Sequence, residues 1–234
     1  LEQSDPAIRA LAVTDYYLMD TYERVVSAKN EGRLTQVELI FPNIELRLDV
    51  GTVKGRWVNI HLLVCPTDED HVARAKRFLQ ALTFRAHDEV FCCTPEDLKR
   101  LGRASDQAIS DDVAALRRGA EQFKVGFEQL RSEYEKSAWA QKNILVAVAG
   151  SETDGTSGVR DGADATLRQE MERFAHIIFA SSTAQRDFWL GRKSGATREQ
   201  LVERYGGLKP CLHGSDAHDQ EGIGVIATVD EVLP

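Results

Sequence analysis

The sequence predicts an α/β protein with a largely parallel sheet. Strand-like apolar segments alternate with segments of helical periodicity along the whole chain. Residues 144–149 form a continuous apolar run, as expected for a strand covered on both faces of a parallel sheet. Polar residues gather just after the strands, where α/β proteins carry their active sites. Together these observations indicate a catalytic domain rather than a scaffold.

Composition and charge exclude several classes of protein. Of the 234 residues, 42% are hydrophobic and 28% charged, as in an ordinary globular protein. The net charge of −8 argues against general adhesion to nucleic acid, although a local basic rim remains compatible with it. With no membrane-spanning run or signal peptide, and with adjacent Cys92 and Cys93 poorly suited to a disulfide, the sequence predicts a cytoplasmic protein without a membrane partner.

The first half of the chain has clear strand and helix signals. In order, the predicted elements are a strand at 11–14, a helix at 21–31, strands at 37–41 and 44–48 separated by a turn at Pro42 and Asn43, a strand at 57–64 and a helix at 69–82. Thr94 and Pro95, with an acid at Asp97, predict the start of a further short helix.

A long helix is predicted from about 107 to 142. Its apolar positions alternate in steps of four and three, which is the seam of a helix packed along a partner. That partner is either the body of the same protein or a second subunit, so a homo-oligomer stays open. The seam consists of Ile109, Val113, Leu116, Ala120, Phe123, Phe127, Leu130 and Tyr134.

The second half continues the alternation. It contains strands at 143–149 and 176–180, a helix at 183–190 and a capping box at Thr197 and Gln200 closed by Gly206. Near the C-terminus, Asp216 and His218 are two residues apart, so in an extended segment both side chains point to one side. A carboxylate and an imidazole leaving the same strand end make half of a typical divalent-metal site.

Several of these stretches together resemble a known family. They are Ala12 to Tyr17, Phe41 to Glu45, Asn59 to Val64 and His213 to His218. This pattern resembles the PHP (polymerase and histidinol phosphatase) superfamily of metal-dependent phosphoesterases, and most closely the N-terminal PHP-type region of TrlF-like AAA ATPases. The resemblance implies a single PHP-like domain over residues 1–234, folded as a distorted (β/α)7 barrel with a helical insertion at about 95–142. It also implies an ATPase domain, which lies either downstream on a longer polypeptide or on another chain of the same complex.

By the same resemblance, divalent metal ions are held by His, Asp and Glu side chains. Mixed oxygen and nitrogen ligands suit Mn²⁺, Zn²⁺ or Fe. Glu45 and Asp216 are expected to be catalytic, and Arg160, Arg186 and Ser215 to bind the substrate. The expected metal ligands are Asp15, Glu45, His61, His87, Asp216 and His218.

Two departures from the family pattern argue against a full set of three metals. Nothing matches the His-x-His pair of the family's first strand, and Tyr16 stands where the family has a histidine. Three of the expected ligands also have a structural alternative. Glu45 can pair with Arg47, His61 can be a hydrogen-bonded core residue, and Asp15 can cap the helix that follows it.

The function that this resemblance implies is metal-dependent phosphoester hydrolysis by a nuclease module that acts on nucleic-acid phosphodiesters, in defence against foreign nucleic acid. The first alternative is a degenerate domain that binds or senses nucleic acid or nucleotide without catalysis. The second is a small-molecule phosphatase. A groove with an arginine rim favours the nuclease, whereas a closed pocket with few basic residues favours the phosphatase.

Overall fold

The computed structural model describes residues 2, 7–52, 57–150, 165–180, 182–194 and 196–212, which form two compact units. The amino-terminal unit comprises Ala10–Asp49 and Leu62–Ile144. The carboxy-terminal unit comprises the described residues of Leu1–Arg9, Val50–His61 and the chain from Leu145 onward. The single domain over residues 1–234 that the sequence predicts stays a prediction.

The amino-terminal unit contains a parallel strand pair. Strand β1 (Ala10–Tyr16) pairs with β2 (Leu39–Gly51), and the register places Tyr16 beside Glu45. The prediction of two strands separated by a turn at Pro42 and Asn43 is wrong, because β2 runs through both residues. The backbone angle that proline imposes is compatible with an extended strand, and the Asn43 side-chain amide donates to Thr14 Oγ1 at 2.8 Å. This amide hydrogen bond ties β2 to β1 where a turn was expected.

The other elements of the amino-terminal unit are helices and a hairpin. Strand β3 (Trp57–Val64) contributes residues to both units. Apart from β1, β2 and β3, the elements of this unit are, in chain order, α1 (Asp20–Asn30), α2 (His71–Gln80), β4 (Thr83–Ala86), β5 (Glu89–Cys92), α3 (Pro95–Ser105), α4 (Asp112–Gln122), α5 (Phe127–Lys136) and α6 (Ala138–Asn143). Strands β4 and β5 form an antiparallel hairpin that the sequence did not indicate.

The long helix predicted from 107 to 142 is wrong, because three helices, α4, α5 and α6, occupy that span. The chain between α4 and α5 is extended, and Val125 forms a parallel bridge with Leu48 of β2. The Val125 N–H donates to the Arg47 carbonyl at 2.9 Å, and the Asp49 N–H donates to the Val125 carbonyl at 3.0 Å. These hydrogen bonds to a strand remove the backbone groups that a continuous helix would need.

Only part of the predicted seam is buried. In α5 the seam holds, because Phe127, Leu130 and Tyr134 are all buried. In α4 the packed face is different: Val113 is 75% exposed, whereas Ala115 and Gly119 are buried. The reason is a close approach of α4 to α3, which is described next.

Helices α3 and α4 touch through their backbones. A Cβ atom on Gly102 would overlap the Ala115 carbonyl oxygen, and one on Gly119 would overlap the Leu98 carbonyl oxygen. Glycine is therefore required at both positions by the close approach of the two helices. A larger apolar side chain of α4 cannot occupy this contact, which explains why the seam shifts away from Val113.

The carboxy-terminal unit is also built from parallel strands and helices. Strands β6 (Ile144–Ala149), β7 (Ile177–Phe179) and β8 (Cys211–Leu212) pair in that order, all parallel. Its helices are α7 (Ala165–Phe174), α8 (Thr183–Trp189) and α9 (Arg198–Tyr205). The α/β class and the parallel pairing are confirmed, whereas the distorted (β/α)7 barrel stays a prediction.

Two helix starts follow the predicted capping chemistry. Thr94 Oγ1 accepts the Asp97 N–H at 3.3 Å at the start of α3, with Pro95 as the first helical residue. Thr197 and Gln200 form the reciprocal capping box of α9, and Gly206 ends that helix with a left-handed φ of 78°. Among the described residues, no helix combines the length and apolar character needed to cross a membrane.

Replacement of Gly119 by alanine tests the close helix contact. Gly119→Ala places a methyl group against the Leu98 carbonyl, so the free energy of unfolding should fall by about 3 kcal/mol or more. Gly126→Ala is the matched control. Gly126 has φ −65°, and its Cβ would lie 3.7 Å from the nearest atoms. Urea unfolding should find the control within about 1 kcal/mol of wild type. Equal stability of the two variants would contradict the contact.

Candidate functional site

Glu45 is a carboxylate buried inside a strand. It lies in β2 and is 6% exposed. The hydroxyl group of Tyr16, the last residue of β1, donates a hydrogen bond to Glu45 Oε1 at 2.8 Å. The two residues are direct partners in the parallel register. A buried carboxylate is costly unless its charge is compensated, and this hydrogen bond supplies part of the compensation.

Arg47 lies on the Tyr16 ring. Its guanidinium carbon is 4.5 Å from the centroid of that ring, in a cation–π contact, and Nη1 donates to the Ala120 carbonyl at 3.4 Å. Burial, and next the charge of Glu45, raises the pKa of Tyr16 to about 12. The phenol is therefore protonated at neutral pH and donates to Glu45. The predicted alternative, a direct pairing of Glu45 with Arg47, stays a prediction.

The neighbouring Tyr17 joins three segments of the amino-terminal unit. Its buried hydroxyl donates to the Phe123 carbonyl at 2.8 Å and accepts the Arg47 N–H at 3.1 Å. Its ring meets the Phe123 ring edge-on, with centroids 5.3 Å apart. Burial raises the pKa of Tyr17 well above the ordinary tyrosine value. Tyr17 thus fixes the end of β1 to β2 and to the connection between α4 and α5.

Lys124 is a buried cation at the end of α4. Its ammonium group donates to three carbonyl groups of the last helical turn: Glu121 at 2.7 Å, Gln122 at 3.2 Å and Phe123 at 3.2 Å. Burial, and next the nearby Arg47 charge, lowers the pKa of Lys124 to about 8. A cation at this position complements the negative end of the helix dipole.

Asp15 is engaged with the helix that follows it. Its Oδ2 accepts the Thr21 N–H at 3.2 Å and the Thr21 hydroxyl at 2.8 Å. Thr21 is the second residue of α1, so this carboxylate satisfies a donor of the first helical turn. The capping alternative is the one that the described geometry favours for Asp15.

His61 is a buried histidine of the carboxy-terminal unit. It lies in β3, is 3% exposed, and its ring meets the Phe179 ring edge-on at 5.0 Å between centroids. Burial lowers the pKa of His61 to about 4. The imidazole is therefore neutral at ordinary pH, and neutral imidazole is the form that binds metal ions.

The structure describes two of the remaining predicted residues, His87 and Arg186. His87 is an exposed residue of the two-residue turn between β4 and β5, with φ 50°. Arg186, in α8, donates through Nε to the adjacent Asp187 at 3.4 Å. Arg160, Ser215, Asp216 and His218 lie outside the described residues. Their roles, and the metal role of His87, stay predictions.

Glu45 and His61, which belong to different units, each have chemistry that suits a divalent cation. One is a carboxylate with a hydrogen bond that fixes an oxygen, and the other is a neutral imidazole. Across the described part of the chain, no group of three or more histidine, cysteine or acidic side chains is close enough to hold a metal ion. The metal site that the sequence predicts also includes Asp216 and His218, which lie outside the described residues, so it stays a prediction.

The amino-terminal unit also contains a cavity of about 340 Å³. It is lined by the start of α1, by α2 and by the start of α3, with Tyr17 and Cys93 among the lining residues. Glu45 does not line it, and basic and acidic side chains are mixed around it, including Arg77, Asp20 and Glu96. Its described lining therefore includes neither Glu45 nor Asp15, and it carries charges of both signs.

Sequence reasoning missed the interactions of Tyr16 and Lys124. In the sequence pattern Tyr16 is only a departure from a histidine ligand. Its place at the strand end beside Glu45 is nevertheless a signal for a hydrogen bond across a parallel strand pair. A lysine directly after a helix is a signal for capping of its last carbonyl groups. Both signals depend on knowing where β1 and α4 end.

Comparison with known proteins yields one solved structure. No family model matches the chain, and no curated protein matches it. The chain is similar to a proposed metal-dependent phosphoesterase from Bifidobacterium adolescentis, a crystal structure at 2.40 Å resolution. The likeness covers 97% of this chain and 84% of the other, with 13% sequence identity and a TM-score of 0.41. A superposition of this quality does not establish a common fold, and the link to TrlF-like ATPases stays a prediction.

Lys124 should give the stability of the protein a specific pH dependence. Its pKa is about 8 in the folded chain against an ordinary value of 10.5, so between these values the unfolded chain binds more protons. The free energy of unfolding of wild type should therefore rise with pH through this window, relative to Lys124→Met, by about 1–3 kcal/mol.

Urea unfolding at pH 7.5 and pH 10.5 measures this difference. Lys136→Met is the control, because Lys136 is an exposed lysine of the adjacent helix α5. It should retain the pH dependence of wild type. The same pH dependence in Lys124→Met and wild type would contradict the lowered pKa.

Proposed function

We propose that the chain is a metal-dependent phosphoesterase and that its substrates are nucleic-acid phosphodiesters. The observation that carries this proposal is the burial of the Glu45 carboxylate inside β2, where it accepts the Tyr16 hydroxyl. A carboxylate is retained in such a place when a specific partner uses its charge, and a divalent cation is the partner that the sequence pattern predicts.

In this proposal Glu45, His61, Asp216 and His218 hold the metal. A bound divalent cation supplies a water of lowered pKa and positive charge for the phosphate oxygens. Glu45 contributes negative charge and a fixed oxygen, and His61 contributes a neutral nitrogen that needs no proton loss at neutral pH. Arg186, Arg160 and Ser215 are the proposed contacts to the phosphate backbone. The proposed metals are Mn²⁺, Zn²⁺ or Fe.

The finer biological assignment is proposed from the resemblance to TrlF-like proteins. It comprises a cytoplasmic nuclease module, coupled to an ATPase domain on the same polypeptide or in the same complex, in defence against foreign nucleic acid. Association with further copies of the chain is part of the same proposal.

A second candidate is a domain that binds or senses nucleic acid or nucleotide without cleaving it. Two observations favour it. Tyr16 is a protonated phenol where the resembling family has a histidine ligand, and Asp15 is engaged with the first turn of α1. Both side chains are thereby occupied in ways that reduce the number of metal ligands.

Cleavage by wild type and two ligand variants tests the proposal. The substrates are single- and double-stranded DNA, RNA and p-nitrophenyl phosphate, each with Mn²⁺, Zn²⁺ or Fe²⁺. Glu45→Gln keeps an acceptor for the Tyr16 hydroxyl but removes the charge, and Asp216→Ala removes the other predicted carboxylate. Each should lower the rate about 10²–10³-fold, because a charge that stabilises the transition state is lost.

Glu135→Gln is the matched control, because Glu135 is an exposed glutamate of α5. It should cleave like wild type. Equal cleavage by all four proteins places any activity away from Glu45 and Asp216. Absence of cleavage by wild type with every metal, together with tight binding of nucleic acid, supports the second candidate instead. Cleavage of p-nitrophenyl phosphate alone indicates a small-molecule phosphatase.

A further inference from the structure

We propose that Tyr16 is a positioning residue for the Glu45 carboxylate and holds it in the orientation in which it binds a divalent cation. The inference rests on the proposed metal-dependent function and adds to it a residue that the sequence pattern counted as a loss. Tyr16 acts through Glu45 and is not itself a ligand.

The backbone fixes the two residues side by side. Tyr16 and Glu45 are register partners in the parallel pair of β1 and β2, and the Tyr17 N–H donates to the Glu45 carbonyl at 3.2 Å. The hydroxyl-to-carboxylate distance of 2.8 Å therefore joins side chains whose main chains are already held together. The hydrogen bond therefore forms without any shift of β1 relative to β2.

Two neighbouring side chains, Arg47 and Tyr17, pack near the Tyr16 ring. Arg47 lies over it at 4.5 Å, and the Tyr17 ring is 6.1 Å away between centroids. Arg47 is anchored by its hydrogen bond to the Ala120 carbonyl, and Tyr17 by its hydrogen bond to the Phe123 carbonyl. The ring is thus restrained by two residues that are themselves hydrogen-bonded to carbonyl groups at the end of α4.

A protonated phenol is suited to this role. It donates one hydrogen bond to one carboxylate oxygen, and a carboxylate has about four lone-pair sites in all, so this bond is compatible with a metal ion on the same group. Partners that orient a metal-binding side chain in this way are worth about 10–100-fold in metal affinity. In this proposal Tyr16 does not bind the metal ion itself; its hydroxyl group orients the Glu45 carboxylate that does.

A hydrogen bond with a purely structural role predicts a different result, and the chain contains a suitable example. The Tyr22 hydroxyl contacts His71 Nε2 at 2.8 Å, also in the amino-terminal unit. His71 Nδ1 lies 2.6 Å from the Asp68 carbonyl, which can only accept a hydrogen bond, so the ring is held at both nitrogens. Tyr22→Phe removes a hydrogen bond of the same length without touching Glu45.

The experiment is titration calorimetry of Mn²⁺ into the whole chain, with thermal melting to verify that each variant is folded. Wild type, Tyr16→Phe, Tyr22→Phe and Glu45→Gln are compared. Tyr16→Phe should weaken Mn²⁺ binding about 10–100-fold. Tyr22→Phe should bind like wild type even where its melting temperature falls. Glu45→Gln should bind more weakly than Tyr16→Phe.

The outcomes separate the inference from the proposed function. If Glu45→Gln weakens Mn²⁺ binding but Tyr16→Phe does not, Tyr16 has no positioning role and the metal site stands. If Tyr16→Phe and Tyr22→Phe weaken binding equally, the effect is one of general stability and the inference is overturned. If wild type binds no Mn²⁺, or Glu45→Gln binds it as wild type does, the proposed metal function fails and the inference fails with it.

Discussion

The hydroxyl group of Tyr17 is the contact on which the amino-terminal unit depends. It is buried, and it uses both of its hydrogen-bonding functions on backbone groups, donating to Phe123 and accepting from Arg47. One oxygen atom thereby links the end of β1, the middle of β2 and the segment that separates α4 from α5. Because a buried backbone group without a partner costs about 1–3 kcal/mol, the arrangement stabilises all three segments together.

The electrostatics around Glu45 follow from this linkage. The segment held by Tyr17 ends α4 beside β2, and the last carbonyl groups of that helix receive hydrogen bonds from Lys124 and Arg47. Two cations are therefore retained close to the negative helix end. Arg47 also lies on Tyr16, which donates to Glu45. The carboxylate is thus part of a network that reaches from a strand pair to a helix terminus.

Features set by neighbouring residues were predictable from the sequence, and features set by distant residues were not. The caps at Thr94 and Thr197 each depend on a residue three positions further along the chain, and both are confirmed. By contrast, the break between α4 and α5 depends on Val125 pairing with Leu48, more than seventy residues earlier. Heptad spacing alone gives no sign of such a competitor. The unbroken course of β2 through Pro42 likewise depends on its pairing with β1.

The same distinction applies to the candidate site. Polar residues within apolar strands identified Glu45 and His61, and both are buried. The partner of Glu45 could not be read from the sequence, because it depends on the register of β1 against β2. For Asp15 the pattern left a ligand and a cap equally open, and its contact with Thr21 favours the cap. The roles of Asp216 and His218 remain those that the sequence predicts.

The contact of α3 with α4 through Gly102 and Gly119 also bears on how this sequence can diverge. Each glycine lies against a carbonyl group of the other helix, so a side chain at either position requires the two axes to separate. Separation would in turn displace the end of α4, where Ala120 and Phe123 offer carbonyl groups to Arg47 and Tyr17. Sequence change at Gly102 and Gly119 is therefore constrained by the geometry around Glu45, although neither glycine is a predicted ligand.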